Sequence, residues 1–215
     1  MNNLYMFLYS FIQTFCKEHN IDESHDVRHS KDCVNFLEKL MDYSWSADER
    51  RMAIYAAALH DCVDKKYVKE SVAIPRVLSF LLGLGWKDDD AGALIAMITT
   101  MSYSKLNALR SQGVGNVFPN HGTWDKVYHA VRQADLLCSY RVHRCYQYQK
   151  RLHPEWSESA HWIGVSRLFQ ERVFKYVTNG WFQSPAAMAL IPDLIRTAQL
   201  DLLDSNGVAP AGYGI

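Results

Sequence analysis

The spacing of apolar residues along the chain follows the period of an α-helix. Between residues 4 and 19, apolar side chains recur at intervals of three and four, as one face of a helix requires. Ser46 and Glu49 have the spacing of a capping box at a helix start. No stretch alternates as a strand would, so the sequence predicts an all-α domain of roughly eight helices over residues 1–205. These helices are expected near 4–19, 26–43, 46–59, 69–83, 87–101, 124–152, 158–178 and 185–204.

Two segments depart from this pattern. Residues 104–123 are polar and contain Pro119 and the glycines Gly113, Gly115 and Gly122. A loop of this length inside a compact domain is unusual and often functional, so the segment is a candidate lid. The last residues, 206–215, are rich in small residues and are expected to form a flexible C-terminal tail.

Composition excludes several classes of partner. Lys plus Arg equals Asp plus Glu at 23 each, so long-range attraction to nucleic acid or to an anionic membrane is not expected. No run approaches the roughly 20 apolar residues that cross a bilayer. The five cysteines include no C-x-x-C pair, which fits a reducing interior better than a disulfide framework. We therefore expect a soluble cytoplasmic protein, for which homo-oligomerisation stays open.

Histidines and carboxylates interrupt the apolar stripes at three places. The stretch "HDVRHS" contains His25 and His29, four residues apart and so on one helix face. "LHDCVD" places His60 and Asp61 at the end of an apolar run, and Asp135 stands among apolar neighbours in "QADLLC". Burying an ionised acid in such surroundings costs free energy unless a cation or several hydrogen-bond donors compensate its charge. Imidazole nitrogen with carboxylate oxygen suits borderline first-row divalent ions and tolerates magnesium.

This ordered set resembles the HD-domain metal-dependent phosphohydrolase superfamily. The flanking sequences "HDVRHS", "LHDCVDKKY", "MSYSK" and "QADLLCSYRVHRC" are similar to a subgroup of small stand-alone HD hydrolases over about residues 20–150. The resemblance implies an HD-type helical bundle with one divalent metal ion held by His29, His60, Asp61 and Asp135. Mn²⁺ is the favoured ion, ahead of Mg²⁺, Co²⁺, Ni²⁺, Fe²⁺ and Zn²⁺. Binuclear members carry further histidines on a middle helix, and residues 96–104 contain none.

The resemblance also suggests which residues act on the substrate. Related nucleotidases carry a glutamate at the position of Asp64 as a general acid/base, and a continuing helix would keep Asp64 on the metal-facing side. Asp64 is therefore expected to orient or deprotonate the attacking water, with Lys65 stabilising the developing charge. The alternative is an acid that only pairs with its neighbouring lysines. Contacts to the substrate are expected from Arg28, Lys66, Lys105, Ser102 and His25.

The sequence thus predicts a divalent-metal-dependent phosphohydrolase. Its expected substrate is a small phosphorylated metabolite, with a nucleotide favoured, cleaved at a monoester or pyrophosphate bond. Two alternatives remain open at this point: a phosphodiesterase, and a non-catalytic regulatory module that binds metal and nucleotide.

Overall fold

The computed structural model describes residues 3–206, and this range contains ten α-helices and no strand. The predicted all-α class is confirmed. Of the expected tail, positions 207–215 lie outside the described residues. None of the described helices is both long enough and apolar enough to cross a membrane. The helices are α1 (Asn3–Glu18), α2 (Val27–Leu40), α3 (Ala47–Leu59), α4 (Glu70–Gly83), α5 (Asp88–Thr100), α6 (Tyr103–Ser111), α7 (Asp125–Cys138), α8 (Val142–Leu152), α9 (Glu158–Glu171) and α10 (Pro185–Asn206).

Helices α2, α3 and α7 pack against one another at the centre of the domain. The α3 segment 56–59 is fully buried, and three of its four residues are alanines. Alanine side chains are short, so the neighbouring helices can approach the α3 backbone closely. Leu37 of α2 and Ala134 of α7 are likewise fully buried. The centre of the domain therefore joins the three chain segments that carry the predicted metal ligands.

The start of α3 is set by local hydrogen bonds. The Ser46 hydroxyl accepts the backbone N–H of Glu49 at 3.1 Å, and the Glu49 carboxylate accepts the backbone N–H of Ser46 at 2.7 Å. Both halves of the predicted capping box are present. Because these bonds satisfy two amides that a helix start leaves unpaired, they fix the register of the helix that leads to His60.

The expected loop 104–123 is partly helical, which accounts for one of the additional helices. Leu106 is buried and anchors α6 on the domain. The helix ends at Ser111, and two residues later Gly113 has a φ of 84°, in the left-handed region that glycine adopts without strain. The amide of Val114 donates to the Leu109 carbonyl, as in a Schellman ending. The glycine that suggested a loop is therefore a helix terminator.

The expected helix 124–152 is divided into α7 and α8 by a tight turn. The amides of Ser139, Tyr140 and Arg141 bond to carbonyls three residues earlier, so the chain leaves the α-helical pattern without any Gly or Pro. Apolar spacing alone did not reveal this break, because apolar residues occur on both sides of it.

Candidate metal centre

A change of helix type positions His60 and Asp61. Helix α3 ends at Leu59, and residues His60–Val63 form a single 3-10 turn at its end. The His60 Nδ1 atom lies 2.8 Å from the Ala57 carbonyl oxygen, which can only accept a hydrogen bond. Nδ1 therefore carries a ring proton, and Nε2 is the ring atom that lies beside His29, Asp61 and Asp135. Metal-binding histidines usually make this second hydrogen bond.

Four side chains from distant parts of the chain meet at this turn. His29, from the first turn of α2, has its Nε2 atom 3.3 Å from His60 Nε2, 3.3 Å from Asp61 Oδ2 and 3.3 Å from Asp135 Oδ1. His60 Nε2 lies 3.4 Å from Asp61 Oδ1 and 3.6 Å from Asp135 Oδ1. The structure thus brings all four residues of the expected ligand set together, although His29 and His60 are 31 residues apart.

One atom in this cluster lacks a partner that it needs. Asp61 Oδ2 is buried and makes no hydrogen bond among the described residues, although His29 Nε2 is only 3.3 Å away. The two atoms are close but not aligned as donor and acceptor. A buried carboxylate oxygen and an imidazole nitrogen this close, with no hydrogen bond between them, are the arrangement expected of ligands that share a cation. The buried Asp61 oxygen therefore fits a metal ion at this place.

The charges of the cluster support the same conclusion. Burial raises the pKa of Asp61 to about 6, which shows that its charge is poorly compensated. For His60, by contrast, burial opposes protonation, yet Asp61 and then Asp135 raise the pKa of this ring to about 10. Burial and then the Arg144 guanidinium lower the pKa of His29 to about 3, so this imidazole is neutral. The two carboxylates favour a positive charge in this cluster, which a divalent ion could supply in place of a proton.

Cys33 is a potential ligand that the sequence analysis missed. Ligand atoms of His29, Cys33, His60 and Asp135 all lie within 4.8 Å of one another. Cys33 follows His29 by four residues on α2, so helical spacing could have revealed it. However, burial, and then the adjacent Cys138 thiol, raise the pKa of Cys33 well above its ordinary value. A neutral thiol is a poor ligand, so the oxygen of Asp61 is favoured over this sulfur.

A cavity of about 410 Å³ opens beside the cluster. Its wall includes both polar and aromatic side chains, so it can accept a molecule with a charged end and a planar or apolar remainder. Most of the predicted site residues line this cavity: His25, His60, Asp61, Asp64, Lys65, Lys66, Ser102, Lys105 and Asp135. His29 lies behind this wall with 1% of its side chain exposed.

Asp64 lines the cavity, but the helical argument for it was wrong. The helical turn ends at Val63, and Asp64 adopts an extended backbone conformation with φ −70° and ψ 114°. One of its oxygens accepts the backbone amide of Lys66 at 2.9 Å, and the other pairs with the Lys66 Nζ atom at 3.2 Å. The lysine pairing considered as the alternative is therefore present, while both side chains remain at the cavity wall.

Arg28 is not at the cavity. Its side chain is 63% exposed and pairs with Glu23 at 3.1 Å and with Asp26 at 3.2 Å. Consecutive residues on a helix point about 100° apart, so Arg28 turns outward where His29 turns inward. Lys105 does line the cavity, with its Nζ atom 3.4 Å from Glu70 Oε1.

Arg144 and Arg172 are two cavity cations that the sequence analysis did not find. Arg144 Nη1 donates to the Ser24 carbonyl at 3.0 Å and lies 3.4 Å from His29 Nε2. On an uninterrupted helix, Arg144 would be nine residues from Asp135 and on about the opposite face. The turn between α7 and α8 redirects it toward the cluster, and no sequence signal marked that turn.

The candidate lid contributes little to the cavity. Of residues 104–123, only Ser104 and Lys105 line it. Farther along the segment, Phe118 packs on the Arg132 guanidinium at 4.2 Å and against Trp181, with ring centroids 5.9 Å apart. Phe118 therefore packs on α7 and does not line the cavity.

The chain was compared with family models, with curated proteins and with solved structures. No family model matches, and no curated protein or solved structure matches significantly. The resemblance to HD-domain hydrolases therefore depends on the residues and motifs quoted above. The geometry of those residues is what supports a function.

Proposed function

We propose that this protein is a divalent-metal-dependent phosphohydrolase of the HD type, acting on a small phosphorylated metabolite. The supporting observation is the convergence of two imidazole nitrogens and two carboxylates at one end of a cation-lined cavity. His29, His60, Asp61 and Asp135 would hold one ion, with Mn²⁺ favoured by the mixed nitrogen and oxygen ligands. Such an ion lowers the pKa of a bound water and neutralises charge on a phosphoryl oxygen.

The remaining cavity residues supply binding and proton transfer. Lys65, Lys66 and Lys105 line the wall, as do the two arginines described above. Charge-assisted hydrogen bonds from such groups are the stronger kind, so they favour a phosphorylated ligand. Asp64 is the one carboxylate of the cavity wall that lies outside the metal cluster among the described residues. We therefore propose that it accepts a proton from the attacking water. A nucleotide is the favoured substrate, because tyrosines in the same wall offer faces for a planar base.

A phosphate-release assay over a panel of nucleoside mono-, di- and triphosphates tests this proposal. The protein is stripped with a chelator and reloaded separately with Mn²⁺, Mg²⁺, Co²⁺ or Ni²⁺. Phosphate release that depends on the added metal is the expected result. Asp61→Ala should lose both turnover and bound metal, whereas Asp64→Ala should lose turnover and retain metal.

Asp193→Ala is the matched control, because Asp193 is 82% exposed on α10 and pairs only with its helix neighbour Arg196 among the described residues. Undiminished turnover in Asp61→Ala would refute the assignment of the site. Tight nucleotide binding without turnover on any substrate would instead identify a binding module.

A further inference from the structure

A network of hydroxyl groups surrounds one ring nitrogen of His25 at the cavity wall. The Ser24 hydroxyl oxygen lies 2.6 Å from His25 Nδ1, and the Tyr67 hydroxyl oxygen lies 2.8 Å from the same atom. Both hydroxyls also bond to the Asp22 carboxylate: Tyr67 to Oδ2 at 2.7 Å and Ser24 to Oδ1. Asp22 and His25 therefore share two hydroxyl groups that carry one proton each.

The position of those two protons follows from the charge of Asp22. Its carboxylate also accepts the backbone amide of Ser24 at 2.8 Å and pairs with Arg151 at 3.1 Å. Burial opposes ionisation, but the hydrogen bonds from Ser24 and Tyr67 outweigh it and lower the pKa of Asp22. Hydrogen bonds to an ionised carboxylate are stronger than those to a neutral imidazole. Both hydroxyl protons therefore point to Asp22.

Because both hydroxyl protons are donated to Asp22, neither hydroxyl can donate to His25 Nδ1. The short distances from Nδ1 to these two oxygens therefore require that Nδ1 carries a proton and donates it. Within the part of the chain that the structure describes, Nε2 has no hydrogen-bond acceptor, so a second ring proton there would be left unpaired, and the geometry favours the neutral ring. A neutral imidazole with its proton on Nδ1 has a lone pair on Nε2. Among the described residues no side chain or backbone group bonds to this Nε2.

The His25 ring lies at the wall of the cavity beside the metal cluster. His25 lines the same cavity as Asp61, Asp64 and Asp135. Its ring packs edge-on against the ring of His29, with centroids 5.8 Å apart. Since Nδ1 is held by the hydroxyl groups, the edge left for the cavity is the one that carries Nε2.

We propose that Asp22, acting through Ser24 and Tyr67, holds His25 in its Nδ1–H form, so that Nε2 accepts a hydrogen bond from the attacking water. This role rests on the proposed phosphohydrolase function. The water oxygen forms the new bond to phosphorus as the bond to the leaving oxygen breaks. One water proton passes to Asp64 and then to the leaving oxygen, and the other stays on the product phosphate. Within this network His25 is a catalytic residue, as Asp64 is, whereas Asp22, Ser24 and Tyr67 are positioning residues.

The tautomer can be measured without any substrate. Long-range ¹H–¹⁵N spectra of the uniformly labelled full-length protein distinguish protonated from unprotonated ring nitrogens, and His25→Asn identifies the signals. We expect Nδ1 of His25 to be protonated and Nε2 to be unprotonated. A protonated Nε2 in the wild-type protein would overturn the proposal, whether or not the protein hydrolyses phosphate.

A double variant tests the positioning residues. Ser24→Ala with Tyr67→Phe removes both hydroxyls, so the fraction of His25 protonated on Nε2 should rise. Tyr148→Phe is the matched control, because the Tyr148 ring also packs on His25, with centroids 5.3 Å apart, and its hydroxyl makes no bond to it. An unchanged tautomer in the double variant, or the same change in the control, would contradict the proposal.

Turnover measurements test whether His25 Nε2 accepts a hydrogen bond from the attacking water. His25→Asn keeps a polar group near the Nδ1 position and removes the Nε2 acceptor, whereas His25→Gln places an acceptor near Nε2. We expect His25→Asn to lower kcat by on the order of 100-fold, the lower range for proton-handling groups. His25→Gln should recover part of this loss. A wild-type rate in His25→Asn would overturn the role at the water, while the spectra decide the tautomer separately.

If no substrate of the panel is hydrolysed, the proposed function and the role of His25 at the water both fail. The tautomer assignment would still stand or fall on the spectra alone. The two failures are therefore distinguishable.

Discussion

Metal binding should raise the thermal stability of the whole domain, and this effect can be measured before any substrate is known. The four proposed ligands come from α2, the turn after α3, and α7, and these segments are adjacent only in the folded chain. The unfolded chain therefore has no preformed site. Under that condition a ligand at 100 times its Kd stabilises the folded state by about 2.7 kcal/mol.

The corresponding change in melting temperature follows from the size of the protein. For a chain of 150–250 residues, about 1 kcal/mol moves Tm by roughly 2–4 °C. A saturating divalent ion should therefore raise Tm by roughly 5–11 °C relative to chelator-treated protein. Differential scanning fluorimetry over a Mn²⁺ titration measures this shift.

Two aspartate-to-asparagine variants make the test specific. Asp135→Asn keeps the size of the side chain and removes a charged ligand oxygen, so the shift should nearly disappear. Asp32→Asn makes the same change on α2, where Asp32 pairs with Arg141 at 3.0 Å outside the cluster, and it should keep the full shift. The reasoning fails if no first-row divalent ion raises Tm, or if Asp135→Asn responds like the wild-type protein.

Further predictions concern single side chains. Cys33→Ala should keep the Mn²⁺-dependent Tm shift, and loss of the shift would make this sulfur a ligand. Asp64→Asn should keep the shift but reduce phosphate release by on the order of 10²–10⁴-fold, whereas an unchanged rate would leave it as only a partner of Lys66. Ser46→Ala should lower the free energy of unfolding in urea by about 1 kcal/mol, and a neutral result would deny the capping box any energetic role. Because the folded-state pKa of Asp22 is lowered, its ionisation stabilises the fold above the unfolded value of roughly 4. The stability difference between wild type and Asp22→Asn should therefore shrink as pH falls below that value, and a difference independent of pH between 7 and 3 would contradict this assignment.

The helical class could be predicted because it has a local signal, whereas the full ligand set was implied only by the resemblance to HD-domain hydrolases. Apolar spacing marks helices directly, and a buried histidine or acid such as His60 or Asp135 is conspicuous among apolar neighbours. The distances between their side chains confirm that these residues meet. The physical reason is that each polar group, if buried alone, would lose its interactions with water and gain none in return. Their metal content and chemistry remain predictions.

The residues that were missed depend on the three-dimensional course of the chain. Arg144 reaches the cluster only because the turn after Cys138 redirects α8. Asp64 lies at the cavity even though the helix that was expected to aim it ends at Val63. The Tyr67 hydroxyl reaches His25 Nδ1 at 2.8 Å although the two residues are 42 positions apart. No periodicity or short motif encodes such contacts.

The alanines at the end of α3 have a consequence for interpreting variants of this protein. Residues 56–58 are fully buried where α3 meets its neighbours, and none of them has a group that could take part in chemistry. A bulkier residue at Ala57 would cost about 1–3 kcal/mol of overpacking and would spread the helices that hold His29 and Asp135. A genetic screen for inactive but soluble protein would therefore recover substitutions at these alanines as well as at the proposed ligands. Both groups would lose activity, so their metal affinities, rather than their catalytic rates, would have to be compared to distinguish them.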